Sequence, residues 1–358
     1  MDVDHFDFEL PPERIAQEPA RPRDAARLMF MAADAARPTD HGVGDLPHLL
    51  RPGDLMVFND TRVLPTRLSG KRGSATRAGA PETARIEVTL TGPVSSRLWR
   101  AFARPARKLE VRDHIVFAPG FAADVMKKLD GGEVELWFSR GGDDLAAMLE
   151  AHGRMPLPPY IKRGKESDDR DTADTEDYQT LFAEHPGAVA SPTAALHFTP
   201  DLLAGLDARD IETARLTLHV GPGTFLPVKT DDTDDHVMHA EWARLDAATS
   251  DRLNAARAEG RRIVACGSTA LRTLETSACN DGTLAPFEGE TDLFLTPGSR
   301  FKVVDALMTN FHLPRSTLFM LVAAFAGLDR MQAAYAHAIE AGYRFYSYGD
   351  ASLLERSP

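Results

Sequence analysis

The segment from Val303 to Pro314 constrains the fold of this chain more than any other part of its sequence. A mainly apolar stretch, Val303–Met308, predicts a buried strand that runs directly into threonine, asparagine, phenylalanine and histidine at positions 309–312. After the proline, Ser316 can cap a helix over Thr317–Ala326, because its hydroxyl can accept a free first-turn N–H. Ligands of open α/β sheets bind beyond the carboxyl ends of the strands, so this segment predicts a binding site.

Polar residues follow apolar strands at several other places, which makes an enzyme the leading hypothesis. Further strands are predicted at Leu55–Phe58, Arg215–Val220, Arg262–Cys266 and Arg344–Tyr348. A helix is predicted at Ala270–Ser277, and alternating strands and helices indicate a mainly parallel sheet or barrel. The predicted fold class is therefore α/β, with a larger, mainly parallel and barrel-like domain.

The region from Arg85 to Arg140 has a different pattern, in which short apolar alternation is punctuated by Gly-Gly and Pro-Gly. An alternation of period two is typical of antiparallel strands. We therefore predict a small antiparallel β-barrel domain at residues 63–152. It is inserted into an α/β catalytic domain formed by residues 1–62 and 153–358.

The charge distribution indicates a polyanionic partner, although the net charge of the chain is −12. The segment from Asp60 to Arg112 contains twelve Lys or Arg residues against four Asp or Glu residues. A basic patch on an acidic body can steer a polyanion to one face of the protein. A solvated charged surface without a partner explains the same composition, and both alternatives stay open.

Composition also bears on the compartment and on the loops. The chain has two cysteines without a metal or redox motif, its N-terminus has no secretory signal, and no apolar run approaches the ~20 residues of a membrane span. A cytoplasmic protein is expected. The stretch Ser69–Thr83 is predicted to be an exposed loop, and the acidic stretch Lys165–Asp177 a mobile one.

Three histidines in predicted strand ends or loops, His219, His239 and His312, are candidates for acid–base chemistry, because imidazole titrates near neutral pH. A single histidine in such a place would more often be structural. His236 and His239 have i, i+3 spacing, but no third ligand lies nearby in the sequence. No metal site is therefore expected.

Two polar motifs could bind ligands. Gly267–Thr269 at a helix start offers N–H groups and hydroxyls to an anion, although a plain helix cap explains it at least as well. Arg272 could pair with a carboxylate or phosphate, or form a structural salt bridge. Asn59–Arg62 places an amide, an acid and a cation after a strand, with an Asx-type turn as the alternative. Cys266 follows an apolar strand, where a buried inert thiol is expected.

Eight segments, spread over most of the chain, together carry a family resemblance. They are Gly53–Val63, Met155–Ile161, Pro186–Phe198, Thr217–Phe225, His236–His239, Gly267–Thr269, Val303–Pro314 and Phe345–Asp350. In this order they resemble the S-adenosylmethionine:tRNA ribosyltransferase-isomerases of queuosine biosynthesis. No single motif would suffice, but the set is specific.

Four positions depart from the family's pattern. Ala195 stands where the family usually has Gly, Pro222 where it has a small residue, and Cys266 and Ala270 replace the commoner Val and Ser. Pro222 has no backbone N–H, which excludes an oxyanion or carboxylate contact from that amide. The departures are not expected to abolish activity.

The resemblance implies a specific reaction. The enzyme would transfer the ribosyl group of S-adenosylmethionine to 7-aminomethyl-7-deazaguanine at the wobble position of a tRNA. The ribose would be isomerised, giving epoxyqueuosine-tRNA with release of adenine and methionine. The family's fold is an α/β domain with a small β-barrel insertion. S-adenosylmethionine is the donor substrate, no metal or other cofactor is implied, and a monomer is expected.

The candidate site residues follow from loop position and residue type within these motifs. The catalytic candidates are His219, His312, His239 and Asp60. Either of the first two would remove a proton from the carbon beside the sulfonium, and the others would assist. The substrate-binding candidates are Asn59, Arg62, Thr193, His197, Thr224, Ser268, Thr269, Arg272, Thr309 and Asn310. The two arginines would hold the methionine carboxylate, and Thr309 with Asn310 the ribose or adenine.

The basic stretch gives the candidates for tRNA contact. They are Arg97, Arg100, Arg104, Arg107, Lys108 and Arg112. Two other functions remain as alternatives. An S-adenosylmethionine methyltransferase would place a Gly-rich loop after its first strand, and none is found near the N-terminus. A non-enzymatic RNA-binding module would be basic overall, whereas this chain is acidic.

Overall fold

The protein consists of a large open α/β sheet and a closed β-barrel, seen in a computed structural model that describes residues 1–74, 84–164, 170–221, 223 and 228–357. In chain order the strands are β1 (Arg27–Met31), β2 (Thr39–Gly42), β3 (Leu55–Asn59), β4 (Thr61–Val63), β5 (Arg67–Ser74), β6 (Ala84–Pro93), β7 (Leu98–Arg104), β8 (Asp113–Ala118), β9 (Phe121–Lys128), β10 (Glu133–Phe138), β11 (His185–Ala188), β12 (Glu212–Leu218), β13 (Glu241–Leu245), β14 (Ile263–Cys266), β15 (Phe287–Thr291), β16 (Ala306–Asn310) and β17 (Ala351–Glu355). The helices are α1 (Leu46–Leu49), α2 (Asp143–His152), α3 (Arg170–Asp177), α4 (Pro200–Asp207), α5 (Ala247–Ala258), α6 (Ser268–Ser277), α7 (Thr317–Ala326) and α8 (Leu328–Glu340).

The open sheet has nine strands in the order β15-β13-β12-β3-β14-β16-β17-β1-β2. Strands β12, β3, β14 and β16 pair in parallel at its centre, and β17 pairs in parallel with β1. The remaining pairs are antiparallel. The α/β class with a barrel is confirmed, but the larger sheet is mixed and open. Antiparallel strand pairs lie at both of its edges, and the edge strands β15 and β2 do not pair with each other.

Strand β3 shows why the centre of the sheet is continuous apolar sequence. Leu55 and Val57 pack in the core on one face, whereas Met56 and Phe58 pack in the core on the other. A strand buried on both faces has no solvent side, so apolar residues need not alternate with polar ones. Asn59 ends the strand with a side chain that is also fully buried.

The barrel has six strands in the order β10-β7-β6-β5-β8-β9 and a separate apolar core that extends from Leu68 to Leu149. Glycine is required at position 70, because a Cβ there would lie 2.7 Å from the Phe117 ring. The exposed loop predicted at 69–83 is wrong for its first part, which belongs to β5. Its remainder, 75–83, lies outside the described residues. The domain boundaries at 62/63 and 152/153 stay a prediction.

Two other expectations need correction. The strand predicted at Arg344–Tyr348 is a loop, because the Asp350 carboxylate accepts the N–H groups of Arg344 and Arg27 and folds the segment back. The last strand is β17 instead. Within the acidic stretch 165–177, residues 170–177 form helix α3, and 165–169 lie outside the described residues.

The predicted helix α7 is confirmed together with its cap, since the Ser316 hydroxyl accepts the N–H of Phe319 at 3.1 Å. Most of this helix is apolar and buried in the core. Within the described part of the chain, no helix is both long and apolar enough to cross a bilayer.

Candidate active site

A narrow cleft opens beyond the carboxyl ends of β14 and β16. Its walls are residues 190–194, 267–269 and 309–313, with Tyr160, Val220, Ser316, Leu318, Tyr346 and Ser347 completing them. Hydroxyl groups and aromatic rings dominate this lining. None of the described lining residues is an Asp, Glu, Lys or Arg. The cleft is therefore polar without carrying a formal charge.

Gly267 places the start of α6 in this cleft. Its φ of 90° is in the left-handed region that favours glycine, and it makes the turn from β14 into the helix. Its N–H donates to the carbonyl of Met308 at 2.7 Å, which fixes the turn against β16. No side chain caps α6, so its first-turn N–H groups have no partner within the helix.

The end of β16 carries a hydrogen-bonded polar chain. Asn310 Oδ1 accepts the Thr193 hydroxyl at 2.8 Å, and its Nδ2 lies 3.2 Å from His197 Nε2. Thr309 Oγ1 lies 3.1 Å from His312 Nε2. The structure thus brings five sequence-predicted residues together on one wall, four of them in the cleft lining and His197 behind it.

Burial controls the protonation of both histidines on this wall. It lowers the pKa of His312 to about 3 and that of His197 to about 4. Both imidazoles are therefore neutral at neutral pH. A neutral His197 can accept at Nε2 the N–H that Asn310 donates, which fixes the orientation of the amide.

A second polar cluster lies at the ends of β3 and β12. Asn59 Oδ1 accepts the N–H groups of Thr61 and Leu218, while its Nδ2 donates to the Leu218 carbonyl and to Thr269 Oγ1. The amide is fully buried and has no remaining group for a substrate. Asn59 therefore connects strands and helix rather than lining the cleft.

His219 belongs to this second cluster. Its ring stacks on Trp242 with centroids 4.9 Å apart and lies flat against Gly187, where a Cβ would come within 2.6 Å. Nδ1 lies 2.8 Å from the Thr61 hydroxyl, and burial followed by the charge of His185 lowers the pKa of His219. His219 follows β12 and His312 follows β16, and these two strands are three strand spacings, about 14 Å, apart in the sheet.

Asp60 belongs to the same cluster through Thr217 and His185 and is also buried. The Thr217 hydroxyl donates to its carboxylate at 2.7 Å, and burial raises the pKa of Asp60. Ligand atoms of Asp60, Glu184 and His185 lie within 4.8 Å of one another, and no other such group of three occurs in the described residues. Glu184 is already paired with Arg215 at 3.1 Å, and both are largely exposed.

Other predicted residues lie outside the cleft. Arg272 is buried in an ion pair with Glu241, and its other nitrogens donate to main-chain carbonyls. This is the structural salt bridge that the sequence gave as an alternative. The guanidinium group of Arg272 is therefore already paired and is not proposed to bind the methionine carboxylate. Arg62 is exposed and pairs with Glu150 of α2 at 2.9 Å. His239 is exposed and packs against Gly223.

Thr224 and Pro222 lie outside the residues that the structure describes. The six tRNA candidates are all exposed on the barrel. Arg100 lies opposite Glu135 and Arg104 opposite Glu87 on neighbouring strands, so acidic residues offset part of their charge. Arg107 and Lys108 form no ion pair with any described residue.

Comparison with known proteins gives a match over the whole chain. A family model described as "Queuosine biosynthesis protein" matches residues 3–354. The S-adenosylmethionine:tRNA ribosyltransferase-isomerase of Methylobacterium radiotolerans is 59% identical over 100% of this chain and 99% of its own length. The protein of the same name from Sphingopyxis alaskensis is 58% identical, covering 99% and 97%. The chain belongs to the queuosine biosynthesis protein family.

A solved structure is similar to the whole fold. The crystal structure of the S-adenosylmethionine tRNA ribosyltransferase from Thermotoga maritima shares 34% identity and a TM-score of 0.54, covering 98% of this chain and 99% of that one. Three of the four departures from this queuosine biosynthesis family's pattern lie in buried places, and the fourth, Pro222, lies outside the described residues. Ala195, Cys266 and Ala270 are each at most 1% exposed, and burial raises the pKa of the Cys266 thiol well above its usual value.

The sequence did not single out three residues of the cleft, Tyr160, Ser191 and Ser347. The rings of Tyr160 and Tyr346 pack with centroids 4.5 Å apart, and the Tyr160 hydroxyl lies 2.7 Å from Ser347 Oγ. Ser191 is 6% exposed, and its hydroxyl has no hydrogen-bond partner among the described residues. The dense prolines beside Tyr160 were the available signal, since they fix an extended segment against the cleft.

The buried histidines predict a pH dependence of stability. His197 has a folded pKa of about 4 against an ordinary 6.5, so below pH 6.5 the unfolded chain binds more protons than the folded one. Its contribution to stability is complete above pH 6.5 and is lost as the pH falls towards 4. Between pH 7 and 4, the wild type should lose about 3 kcal/mol more unfolding free energy than His197→Gln.

Urea denaturation at both pH values measures this difference. Gln keeps an amide acceptor for Asn310 but binds no proton in this range. The exposed His48→Gln serves as the matched control and should follow the wild type. Parallel pH profiles of the wild type and His197→Gln would contradict the assignment of a neutral buried imidazole.

Proposed function

We propose that this chain is an S-adenosylmethionine:tRNA ribosyltransferase-isomerase. It transfers and isomerises the ribosyl group of S-adenosylmethionine onto 7-aminomethyl-7-deazaguanine at the tRNA wobble position. The products are epoxyqueuosine-tRNA, adenine and methionine. The observation that carries this proposal is the full-length identity of 55–59% to enzymes of that name, which covers both the cleft and the barrel.

The cleft supports this chemistry. Its position beyond the ends of parallel strands is where open α/β sheets bind ligands. Hydroxyls, one amide and one imidazole suit the groups of a ribose, and aromatic rings suit a purine. Thr193, Thr309 and Asn310 are the proposed contacts to the ribose, since all three lie on the polar wall of the cleft.

His312 is the proposed base, because it lines the cleft whereas His219 lies in the second cluster. A sulfonium acidifies the adjacent carbon of the ribose, and a base must enter that step unprotonated. Burial lowers the pKa of His312 to about 3, so its imidazole is neutral at neutral pH. The same low pKa makes it a weak base, so the acidifying sulfonium must supply much of the driving force for proton transfer.

The direct experiment incubates the protein with S-adenosylmethionine and tRNA carrying 7-aminomethyl-7-deazaguanine, followed by mass analysis of nucleosides and small molecules. We expect epoxyqueuosine with free adenine and methionine. A methylated nucleoside would indicate a methyltransferase instead, and unchanged tRNA with folded protein would contradict enzymatic activity. We propose that no metal or further cofactor takes part, so the same yield is expected after treatment with EDTA.

His312→Gln should lower single-turnover ribosyl transfer by about 10²–10⁴-fold, because an amide can hydrogen-bond to Thr309 but cannot take up the proton. Rapid-quench measurement of adenine release at saturating S-adenosylmethionine tests this. His219→Gln is the matched control and should retain most of the rate. A large loss in His219→Gln with normal transfer by His312→Gln would assign the base to the second cluster.

The barrel is the proposed tRNA-binding part, and its exposed Arg97, Arg100, Arg104, Arg107, Lys108 and Arg112 supply the positive charge. Phosphate contacts release counterions, which makes such binding fall steeply with salt. Arg107 and Lys108 are the strongest candidates, since Arg100 and Arg104 face acidic residues across the strands.

Charge reversal at these two positions gives the test. Arg107→Glu with Lys108→Glu should weaken tRNA binding at least about tenfold and reduce the slope of log affinity against log salt by about two. Arg209→Glu, an exposed arginine after α4, makes half the charge change away from the barrel and should leave both quantities near the wild-type values. Fluorescence titration of labelled tRNA at several salt concentrations measures them. Unchanged binding of the double variant would remove this surface from the tRNA site.

The finer expectations also stand as proposals. The protein is proposed to act in the cytoplasm, where its tRNA substrate is found, and as a monomer. Sedimentation equilibrium at catalytic concentrations distinguishes a monomer from an oligomer. A mass close to the 39.2 kDa of one chain is expected.

A further inference from the structure

The cleft has two chemically different ends on opposite sides of β16. Strand β16 lies between β14 and β17 in the sheet. Helix α6 begins immediately after β14, and the 344–350 loop leads into β17, which runs antiparallel to β16. The first turn of α6 and Tyr346 therefore flank the end of β16, about 10 Å apart by two strand spacings.

The α6 end can bind an anion. Its first-turn N–H groups have no side-chain cap, and the hydroxyls of Ser268 and Thr269 lie beside them in the lining. Helix α7 also reaches the cleft, but the Ser316 hydroxyl already accepts one of its first-turn N–H groups. With no Lys or Arg among the described lining residues, the α6 N-terminus is the strongest attraction for a carboxylate.

The opposite end is aromatic. Tyr346 has a φ of 72° and is only 6% exposed, and its N–H donates to the Phe311 carbonyl at 3.0 Å. A left-handed backbone at a non-glycine residue costs free energy, so surrounding contacts must hold it there. Its ring packs beside Tyr160, and its hydroxyl forms no hydrogen bond with any described residue. An aromatic face with a free hydroxyl suits a purine.

An unpartnered group shows independently that this cleft is built for a polar ligand. Ser191 Oγ is buried in the lining and finds no partner among the described residues. A buried hydroxyl without a hydrogen bond is unfavourable, and a bound polar ligand can supply the missing partner.

We propose that S-adenosylmethionine lies in the cleft in one orientation, with its adenine against Tyr346 and Tyr160 and its carboxylate at the first turn of α6. This inference rests on the proposed function and adds to it the position of each end of the donor. The ribose and the sulfonium then lie over the end of β16, beside Asn310 and His312. The helix N-terminus thereby takes the role that the sequence gave to Arg62 and Arg272.

Two variants and two ligands test the orientation by isothermal titration calorimetry. The ligands are S-adenosylmethionine and 5′-methylthioadenosine, which has the adenosine end but no carboxylate. Ser268→Asp puts a negative charge at the α6 N-terminus, where an acid is compatible with the helix. It should weaken S-adenosylmethionine about tenfold to hundredfold and 5′-methylthioadenosine less than about twofold. Tyr346→Leu should weaken both ligands by similar factors of about tenfold.

Matched controls sharpen the test. Ser316→Asp adds the same charge at the start of the other helix and keeps a capping oxygen, so it should weaken S-adenosylmethionine much less than Ser268→Asp does. Decarboxylated S-adenosylmethionine should bind the wild type about tenfold to hundredfold more weakly than the intact donor. The Ser268→Asp variant should bind decarboxylated S-adenosylmethionine with the same affinity as the wild type does. Retained binding of 5′-methylthioadenosine demonstrates that Ser268→Asp is folded.

The opposite pattern overturns the inference. If Ser268→Asp weakens 5′-methylthioadenosine as much as S-adenosylmethionine, or if Ser316→Asp has the larger effect, the carboxylate does not lie at α6. If the protein shows this opposite binding pattern but still transfers the ribosyl group, the proposed orientation is wrong and the proposed function stands. If the expected binding pattern is found but no ribosyl transfer occurs, the orientation stands and the proposed function is wrong. A wild type that binds no S-adenosylmethionine would contradict both proposals.

Discussion

The hydrogen bonds of the Asn59 carboxamide are the interaction on which the arrangement of the open sheet at the cleft depends. It is fully buried, and all four of its hydrogen-bonding positions are used, within the chain itself. Those bonds join the end of β3 to the end of β12 and to the first turn of α6. An unsatisfied buried amide would be costly, so these elements must end at the same level. This one side chain therefore fixes the start of α6, which lines the cleft, against the ends of two strands.

Local sequence was a good guide wherever one interaction decides the structure. Apolar residues correctly predicted strands β3, β12 and β14, because side chains of each strand pack in a hydrophobic core. A serine before an apolar run gave α7, because the capping bond is formed within four residues. The strand expected at 344–348 failed because contacts distant in sequence, from Asp350 and Phe311, determine the course of its backbone.

The candidate site was predicted in its residue types but not in its grouping. Polar residues after the predicted strand of residues 303–308 were recognised, and Thr309, Asn310 and His312 lie on one wall of the cleft. Thr193 and His197 join them through the Asn310 amide. His219 and His312 could not be separated from sequence, because the order of strands in a sheet is not written in any one segment. Arg272 could not be assigned either, since its partner Glu241 lies 31 residues away. The place of Tyr160 in the cleft could not be predicted, because its contact with Tyr346 joins segments from opposite halves of the chain.

The two chain segments that enter and leave the barrel pair with each other. Arg67 of the incoming segment and Arg154 of the outgoing one exchange backbone hydrogen bonds of 3.1 and 2.9 Å. Gly153 packs so closely beside this pair that a Cβ would lie 1.8 Å from the Pro65 carbonyl oxygen. Since the barrel has its own core, its sequence can change with little effect on the packing of the open sheet. The barrel can therefore diversify during evolution independently of the cleft, provided that residue 153 remains a glycine.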